Sequence, residues 1–371
     1  LNKNILEKKS KKFLQQRYEM ENNTETRIKW YYPPDSEELS FLGRMVNCPI
    51  PVDRTDSLNK LRWDFTPIPK DFSDAKTWEE CCYSRAQELW SLGKPITLFW
   101  SGGIDSSVAF LSLRETMSIK DELHVRYTQE SIDEFPILYN DVKEFSSPFL
   151  SSSIDFFTPD FLNQDHIFVT GECGDQVFGT DAVQRYEDEM NEPWKNVLYF
   201  KNLWLPDSIN QPDSTDRFKI LSLLEQYILK CPIEIKTVFD IYWWLSFSIK
   251  WEYVSKVIFL IFFKNDGKDL HKNYCFFNTQ DFQKWSLANH DMKHKNTWLS
   301  YKQPAKDFIY KFTGDKEYQK NKLKEPSLMK LCDEEFVRSR WENEDQLFLL
   351  LDDGRFWRRR DTIPKEVLAN L

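Results

Sequence analysis

Three short apolar runs, each followed by polar or helically spaced residues, give the chain its first readable pattern. PITLFW (95–100), LHVRYTQE (123–130) and DHIFVTGE (165–172) read as strands. The first is a continuous apolar run of the kind that is buried on both faces. Between them, SSVAFLSLRETM (106–117) and IDEFPILYNDVKEF (132–145) carry helical spacing. Strands that alternate with helices predict an α/β fold, a parallel sheet with helices on both faces.

The flanks read differently. Residues 1–27 are charged with sparse apolar positions and predict an exposed arm or a surface helix. The prolines and aromatics that follow suggest irregular or short-strand structure, and residues 73–93 then predict a helix capped by Ser73 or Asp74 and ended by Gly93. Beyond about residue 190 aromatic helical segments dominate, clearest over 218–230 and 239–263. The second of these is the one stretch with a membrane-like look. Lys250, Glu252 and Lys256 interrupt it well short of the roughly 20 apolar residues a span needs, so it reads as buried helix. Residues 346–361 predict a hairpin turning at Asp352, Asp353 and Gly354. The expected organisation is an N-terminal region over 1–92, an α/β core over 93–190, a helical part over 191–335 that completes the site, and a C-terminal extension over 336–371.

Composition adds limits. With 41% hydrophobic and 16% aromatic residues among 371, the chain can bury a substantial core. Its net charge of −9 argues against a groove that tracks a phosphate backbone, so bulk nucleic-acid binding is disfavoured. Seven cysteines, an odd number with no CxxC pair and no secretory leader, predict reduced thiols in a cytoplasmic protein. His290 and His294 form an HxxxH that lacks the glutamate of a zinc-protease helix, and they read as surface histidines.

Glycine usage changes the picture most. The chain has 10 where average usage of roughly 7% would give about 26. Five of them fall in two segments: Gly102 and Gly103, then Gly171, Gly174 and Gly179. In ITLFWSGGIDSS (96–107) a buried strand runs through Ser-Gly-Gly into a helix. Such a turn aims successive backbone N–H groups into one concavity at the positive end of the helix, where an anion binds. Ser101, Ser106 and Ser107 add hydroxyls. Asp105 beside that anion makes electrostatic sense with a divalent cation between them, so phosphate plus magnesium is the economical reading. The segment is neither GxxxxGK[ST] nor GxGxxG.

It resembles SGGxDS, the PP-loop of the ATP pyrophosphatases, a family that adenylates an oxygen of its substrate and releases pyrophosphate. A second segment, TGECGDQVFGTD (170–181), resembles the GEGSDE-x-FGGY motif of the asparagine synthetase branch. Gly171, Glu172, Asp175, Phe178 and Gly179 agree with that motif, while Cys173, Gly174, Gln176 and Thr180 depart from it. The resemblance implies a PP-loop α/β domain with a helical C-terminal half, similar to the synthetase domain of asparagine and β-lactam synthetases. It further implies ATP contacts from Trp100, Ser101, Gly102, Gly103, Asp105, Ser106, Ser107, Thr170 and Gly171, Mg2+ held by Asp105 and Asp175, and Glu172 as an acid/base or orienting carboxylate.

Fainter likenesses continue C-terminally. KWEYVS (250–255) resembles the KVDRAS helix segment, and CFFNTQDF (275–282) resembles PFLD-x-x-F. They imply a carboxylate, Glu252, near the nucleophile. The family's lysine for charge on the transferring phosphate matches Lys324 by order, with Lys302 and Lys306 on the same side. About 95 residues precede the PP-loop, and they carry no leading cysteine. The family's glutaminase domain is therefore not expected, and nitrogen would come from free ammonia, another amine, a separate glutaminase, or the substrate itself. The expected activity is an AMP-forming carbon–nitrogen ligase acting on a small-molecule carboxylate. The alternatives are a PP-loop enzyme that modifies a nucleobase or transfer RNA, and a non-catalytic nucleotide-binding relative.

Overall fold

The three apolar runs become three adjacent strands of one parallel sheet, joined by a fourth from much later in the chain. The computed structural model describes residues 29–31, 37–48, 51–55, 66–145, 165–200, 214–257, 272–324, 348–350 and 356–357. The expected N-terminal arm, the hairpin turn at 352–354 and the apolar residues after 257 lie outside these.

In chain order the strands are β1 (Lys29–Tyr31), β2 (Ile96–Phe99), β3 (Leu123–Arg126), β4 (Ile167–Thr170), β5 (Asn273–Cys275), β6 (Phe348–Leu350) and β7 (Phe356–Trp357). The helices are α1 (Glu37–Met45), α2 (Trp78–Trp90), α3 (Ile104–Thr116), α4 (Gln129–Glu134), α5 (Pro136–Val142), α6 (Gly174–Phe178), α7 (Trp194–Phe200), α8 (Ser214–Ile228), α9 (Val238–Leu245), α10 (Gln280–Ala288), α11 (Gln303–Thr313) and α12 (Lys316–Asn321). β2 to β5 form a four-stranded parallel sheet in the order β3-β2-β4-β5. The register pairs Ile96 with both Leu123 and Ile167, and Thr170 with Cys275.

That order carries a positional consequence. From β2 the chain goes first to one side, to β3, and then to the other, to β4. The gap between the C-terminal ends of β2 and β4 is therefore a topological switch point, where open α/β sheets bind ligands.

Sequence and structure differ in several places. The helix expected over 73–93 starts later, because Thr77 and Glu80 form a capping box; Ser73 and Asp74 stay outside it, and Gly93 follows the helix end at φ +66°. The helix expected over 132–145 is split, since Phe135 before Pro136 leaves the helical region (φ −143°, ψ 69°). β5 comes from a stretch expected to be helical. The expected C-terminal hairpin pairs as β6 with β7, and β1 adds a third antiparallel strand from the opposite end of the chain.

α3 is buried almost all round, with every residue from Val108 to Leu113 inside, and it packs against α2 and α11. Aromatic side chains fill the space beyond the sheet. Trp78 meets Phe178, Trp285 and Phe282 at centroid distances of 4.7, 4.8 and 5.2 Å. Among the described residues no helix is long and apolar enough to cross a membrane, and the six described cysteines are all free thiols.

Candidate active site

The two glycine-bearing loops leave neighbouring strand ends and touch. Gly102 has φ +76°, and a Cβ there would stand 2.4 Å from the Ser131 carbonyl oxygen, so the turn tolerates only glycine on two counts. Ser106 knits the turn together: its Oγ accepts from the Ser101 amide at 3.1 Å and donates to the Gly103 carbonyl at 3.2 Å. α3 then begins at Gly103 with no side-chain cap, leaving its first N–H groups for another acceptor. Trp100 and Ser107 are wholly buried, and the indole N–H donates to Ser107 Oγ at 3.0 Å. Trp100, expected to approach the nucleotide, thus supports the turn from behind.

On the second loop, a Cβ at Gly171 would lie 2.6 Å from the Ser106 amide nitrogen, and one at Gly174 would lie 2.4 Å from Asp105 Oδ1. Thr170, at the end of β4, accepts the Glu172 amide on its Oγ1 at 3.4 Å, and Glu172 is half-buried. The residue departures have local reasons. Cys173 sits at φ +69°, a conformation that favours the glycine of the GEGSDE motif. Gln176 is buried and donates to Ser246 Oγ at 3.3 Å.

Asp105 and Asp175 converge on one ammonium. Lys302 Nζ donates to Asp105 Oδ2 at 2.5 Å and lies 2.7 Å from Asp175 Oδ1, and its side chain is 0% exposed. Lys324 Nζ reaches Asp175 Oδ2 at 3.3 Å. Burial works against the Asp175 charge, yet Lys302 and Lys324 outweigh it and hold the carboxyl well below the usual range. Burial pushes Asp105 up, with Asp175 adding to it against the pull of Lys302. For Lys324 the burial cost is more than offset by Asp175, Asp105, Asp181 and Glu172, which raise it above the ordinary lysine range. Two of the three catalytic candidates, Glu172 and Lys324, therefore share one electrostatic neighbourhood with the two aspartates.

The third candidate, Glu252, lies in a helix that changes its winding. After α9 the chain passes through two π-helical turns, Ser246–Lys250 and Tyr253–Val257, a geometry that frees carbonyls and is frequent at functional sites. Residues 51–55 dock there: the Val52 and Arg54 amides donate to the carbonyls of Ile249 and Ser248 at 2.9 and 3.0 Å. The Arg54 guanidinium donates to the Phe247 carbonyl at 2.6 Å, the Thr66 carbonyl at 2.9 Å and Gln283 Oε1. Glu252 is 2% exposed and occupied on both oxygens, by the Thr66 amide at 3.0 Å and Lys256 Nζ at 2.6 Å. It lies within electrostatic reach of Arg54 and Cys173. Lys250 Nζ donates to the Val46 carbonyl at 2.8 Å.

By order along the chain Lys302 and Lys306 are expected on the same side, with no specific role for either. Lys302 proves central, while Lys306 donates to the carbonyls of Leu299 and Lys322 at 2.6 and 3.1 Å and so fixes the approach to Lys324. An open surface depression of about 420 Å³ is lined by Asn47, Asp181, Ala182 and Gln184, and the Asp181 carboxylate acts electrostatically on Lys324.

His290 and His294, expected on the surface, are instead partly buried against aromatic rings. His294 lies 3.8 Å from Phe239 and His290 4.4 Å from Trp243, centroid to centroid, and His290 Nε2 bonds Asp240 Oδ1 at 2.8 Å.

Among the described residues no cluster of three or more His, Cys, Asp or Glu side chains would hold a metal alone. Mg2+ needs fewer protein ligands, since it binds through one or two carboxylates plus substrate phosphates. Asp105 Oδ1, buried with no hydrogen-bond partner, suits that donor set. Neither protein-family models nor curated proteins show a match to this chain.

Proposed function

We propose that the chain is an ATP-dependent, AMP- and pyrophosphate-forming ligase that adenylates a carboxylate and passes it to an amine or ammonia. What supports this most is the convergence of Asp105 and Asp175 from two abutting loops at the sheet's switch point, beside an uncapped helix N-terminus. The likeness of both loops to the PP-loop family's motifs points the same way.

In this reading the turn from Ser101 to Ser106 receives the ATP phosphates on backbone N–H groups and serine hydroxyls. Mg2+ bound by Asp105, Asp175 and phosphate oxygens would neutralise charge on the leaving pyrophosphate. Lys324 supplies a fixed cation where negative charge grows during attack on the α-phosphate, which needs no reorganisation of solvent. Glu172, half-buried at the strand end, orients the nucleophile or takes its proton. Glu252, with both oxygens bonded, ties the π-helical segment to Thr66 and Lys256.

The test is to incubate the protein with ATP, Mg2+ and a mixture of carboxylates and amines, and to follow AMP and pyrophosphate. AMP and pyrophosphate in equal amounts, abolished by Asp105→Asn and by Asp175→Asn, are the expected result. Formation of ADP, or full activity of Asp105→Asn, counts against the reading. Lys324→Met should retain ATP binding and lose turnover.

A further inference from the structure

Lys302 raises a problem that the adenylation chemistry leaves open. Its ammonium stands between Asp105 and Asp175, within 2.5 and 2.7 Å of them, which is the space a divalent cation shared by the two carboxylates would take. Two cations cannot share it. Excluded volume forbids it, and the mutual repulsion in a site of low dielectric adds to the cost.

The arrangement is also only partly satisfied. Lys302 makes a hydrogen bond to Asp105 Oδ2, but its approach to Asp175 Oδ1 lacks hydrogen-bond geometry, and Asp105 Oδ1 is left without a partner. An ammonium donates along three fixed directions, whereas a metal ion attracts oxygens from any side. The two carboxylates need a positive charge whenever they are buried together, because like charges that close cannot both stay ionised unaided. Lys302 meets that need when no metal is bound.

The lysine is held by its backbone, and aromatic rings already lie near its ammonium. Its amide donates to the Lys293 carbonyl at 3.0 Å, and it adopts φ +61° at the start of α11. The rings of Tyr301 and Phe178 lie 5.6 and 5.9 Å from Nζ, within cation–π range.

We propose that Lys302 is an internal counter-cation that keeps Asp105 and Asp175 paired in the metal-free protein and is exchanged for the divalent cation, so that metal entry and lysine withdrawal are one event. This rests on reading Asp105 and Asp175 as carboxylates that take a divalent cation. It follows that the metal alone binds weakly and that ATP favours its entry, since the phosphates bring ligands for the ion and a new partner for the displaced ammonium.

The test is a calorimetric titration with Mn2+ in the absence of nucleotide, on wild type and Lys302→Met. The variant should bind one Mn2+ at least tenfold more tightly than wild type, and Asp105→Asn added to it should remove that binding. Equal or weaker affinity of Lys302→Met overturns the exchange while leaving the carboxylates as metal ligands. Absence of Mn2+ binding to both proteins, even with inorganic pyrophosphate present, overturns the metal reading and the exchange together. Should Lys302→Met not fold, wild type carries the test through reductive methylation read by mass spectrometry. Lys302 should be protected without metal and at least tenfold more reactive in saturating Mn2+; unchanged protection overturns the exchange.

Discussion

Gly174 lies directly against the carboxylate of Asp105, so close that a Cβ would stand 2.4 Å from Oδ1. The GEGSDE motif has serine at this point. A side chain here has to push Asp105 aside or move the loop, and overpacking of that kind costs about 1–3 kcal/mol. Gly174→Ser should lower stability by that amount in urea denaturation and abolish pyrophosphate release, although it brings the chain nearer to the motif. A fully active Gly174→Ser would show that Asp105 has room the structure does not give it.

Cys173 holds a left-handed backbone conformation at φ +69°, which costs a residue with a Cβ about 1–2 kcal/mol. Its thiol is buried beside Cys275, and burial first, then Cys275, pushes it well above the usual thiol range. Cys173→Gly relieves the backbone and loses the packing of the sulfur, so its stability should stay within about 1 kcal/mol of wild type. Cys173→Val, β-branched and confined to the same φ, should lose more than about 2 kcal/mol. Chemical denaturation of the three proteins checks the order.

Glu252 is expected to act on stability rather than chemistry. Glu252→Gln leaves the half-buried Thr66 amide with an acceptor but leaves Lys256 and the nearby Arg54 without the carboxylate charge. A loss of about 1–3 kcal/mol should follow, with kcat nearly unchanged at temperatures where the variant is folded. A large fall in kcat at unaltered stability would assign Glu252 to the reacting atoms.

Acid should weaken the fold through two histidines. Burial pushes His290 down to about 4, with Lys293 adding to it against the bond from Asp240, and burial pushes His294 down to about 4 as well. Both are neutral in the folded chain, whereas unfolded histidines take up protons near their ordinary value of about 6.5. The stability they support is complete above that value and is lost as pH falls from 6.5 toward 4, at up to about 1.4 kcal/mol per pH unit for each. His290→Gln, which keeps an amide donor for Asp240, should flatten the slope of stability against pH in this window. An unchanged slope in that variant would remove His290 as a source.

The parallel core was legible because buried strands are short apolar runs and because glycine is scarce enough here to mark the turns. β5 was not, since Asn273–Cys275 is three residues long with two of them half-exposed, too short for any periodicity. The pairing of Lys29–Tyr31 with Phe348–Leu350 joins the two ends of the chain, and no local pattern encodes it. Within the site, the aspartates were legible from their place beside glycines. Lys302 was one lysine among many, and what singles it out is the pair of carboxylates it faces, which spacing does not reveal. The histidines misled for a related reason. The HxxxH spacing says nothing of Phe239 and Trp243, which come from a separate helix and cover the two rings.

The docking of residues 51–55 onto the π-helical turns bears on where this chain can be cut. A protein begun at Thr66 would keep both glycine-bearing loops, all the candidate carboxylates, and Lys302 and Lys324. It would lose the donors that satisfy the carbonyls of Phe247, Ser248 and Ile249, together with the guanidinium lying 4.8 Å from the Trp251 ring. Those carbonyls are buried, and unpaired they would unwind the segment that carries Lys250 and Glu252. The motif-bearing stretch is thus not a transplantable module, and a minimal folded fragment has to begin upstream of Val52.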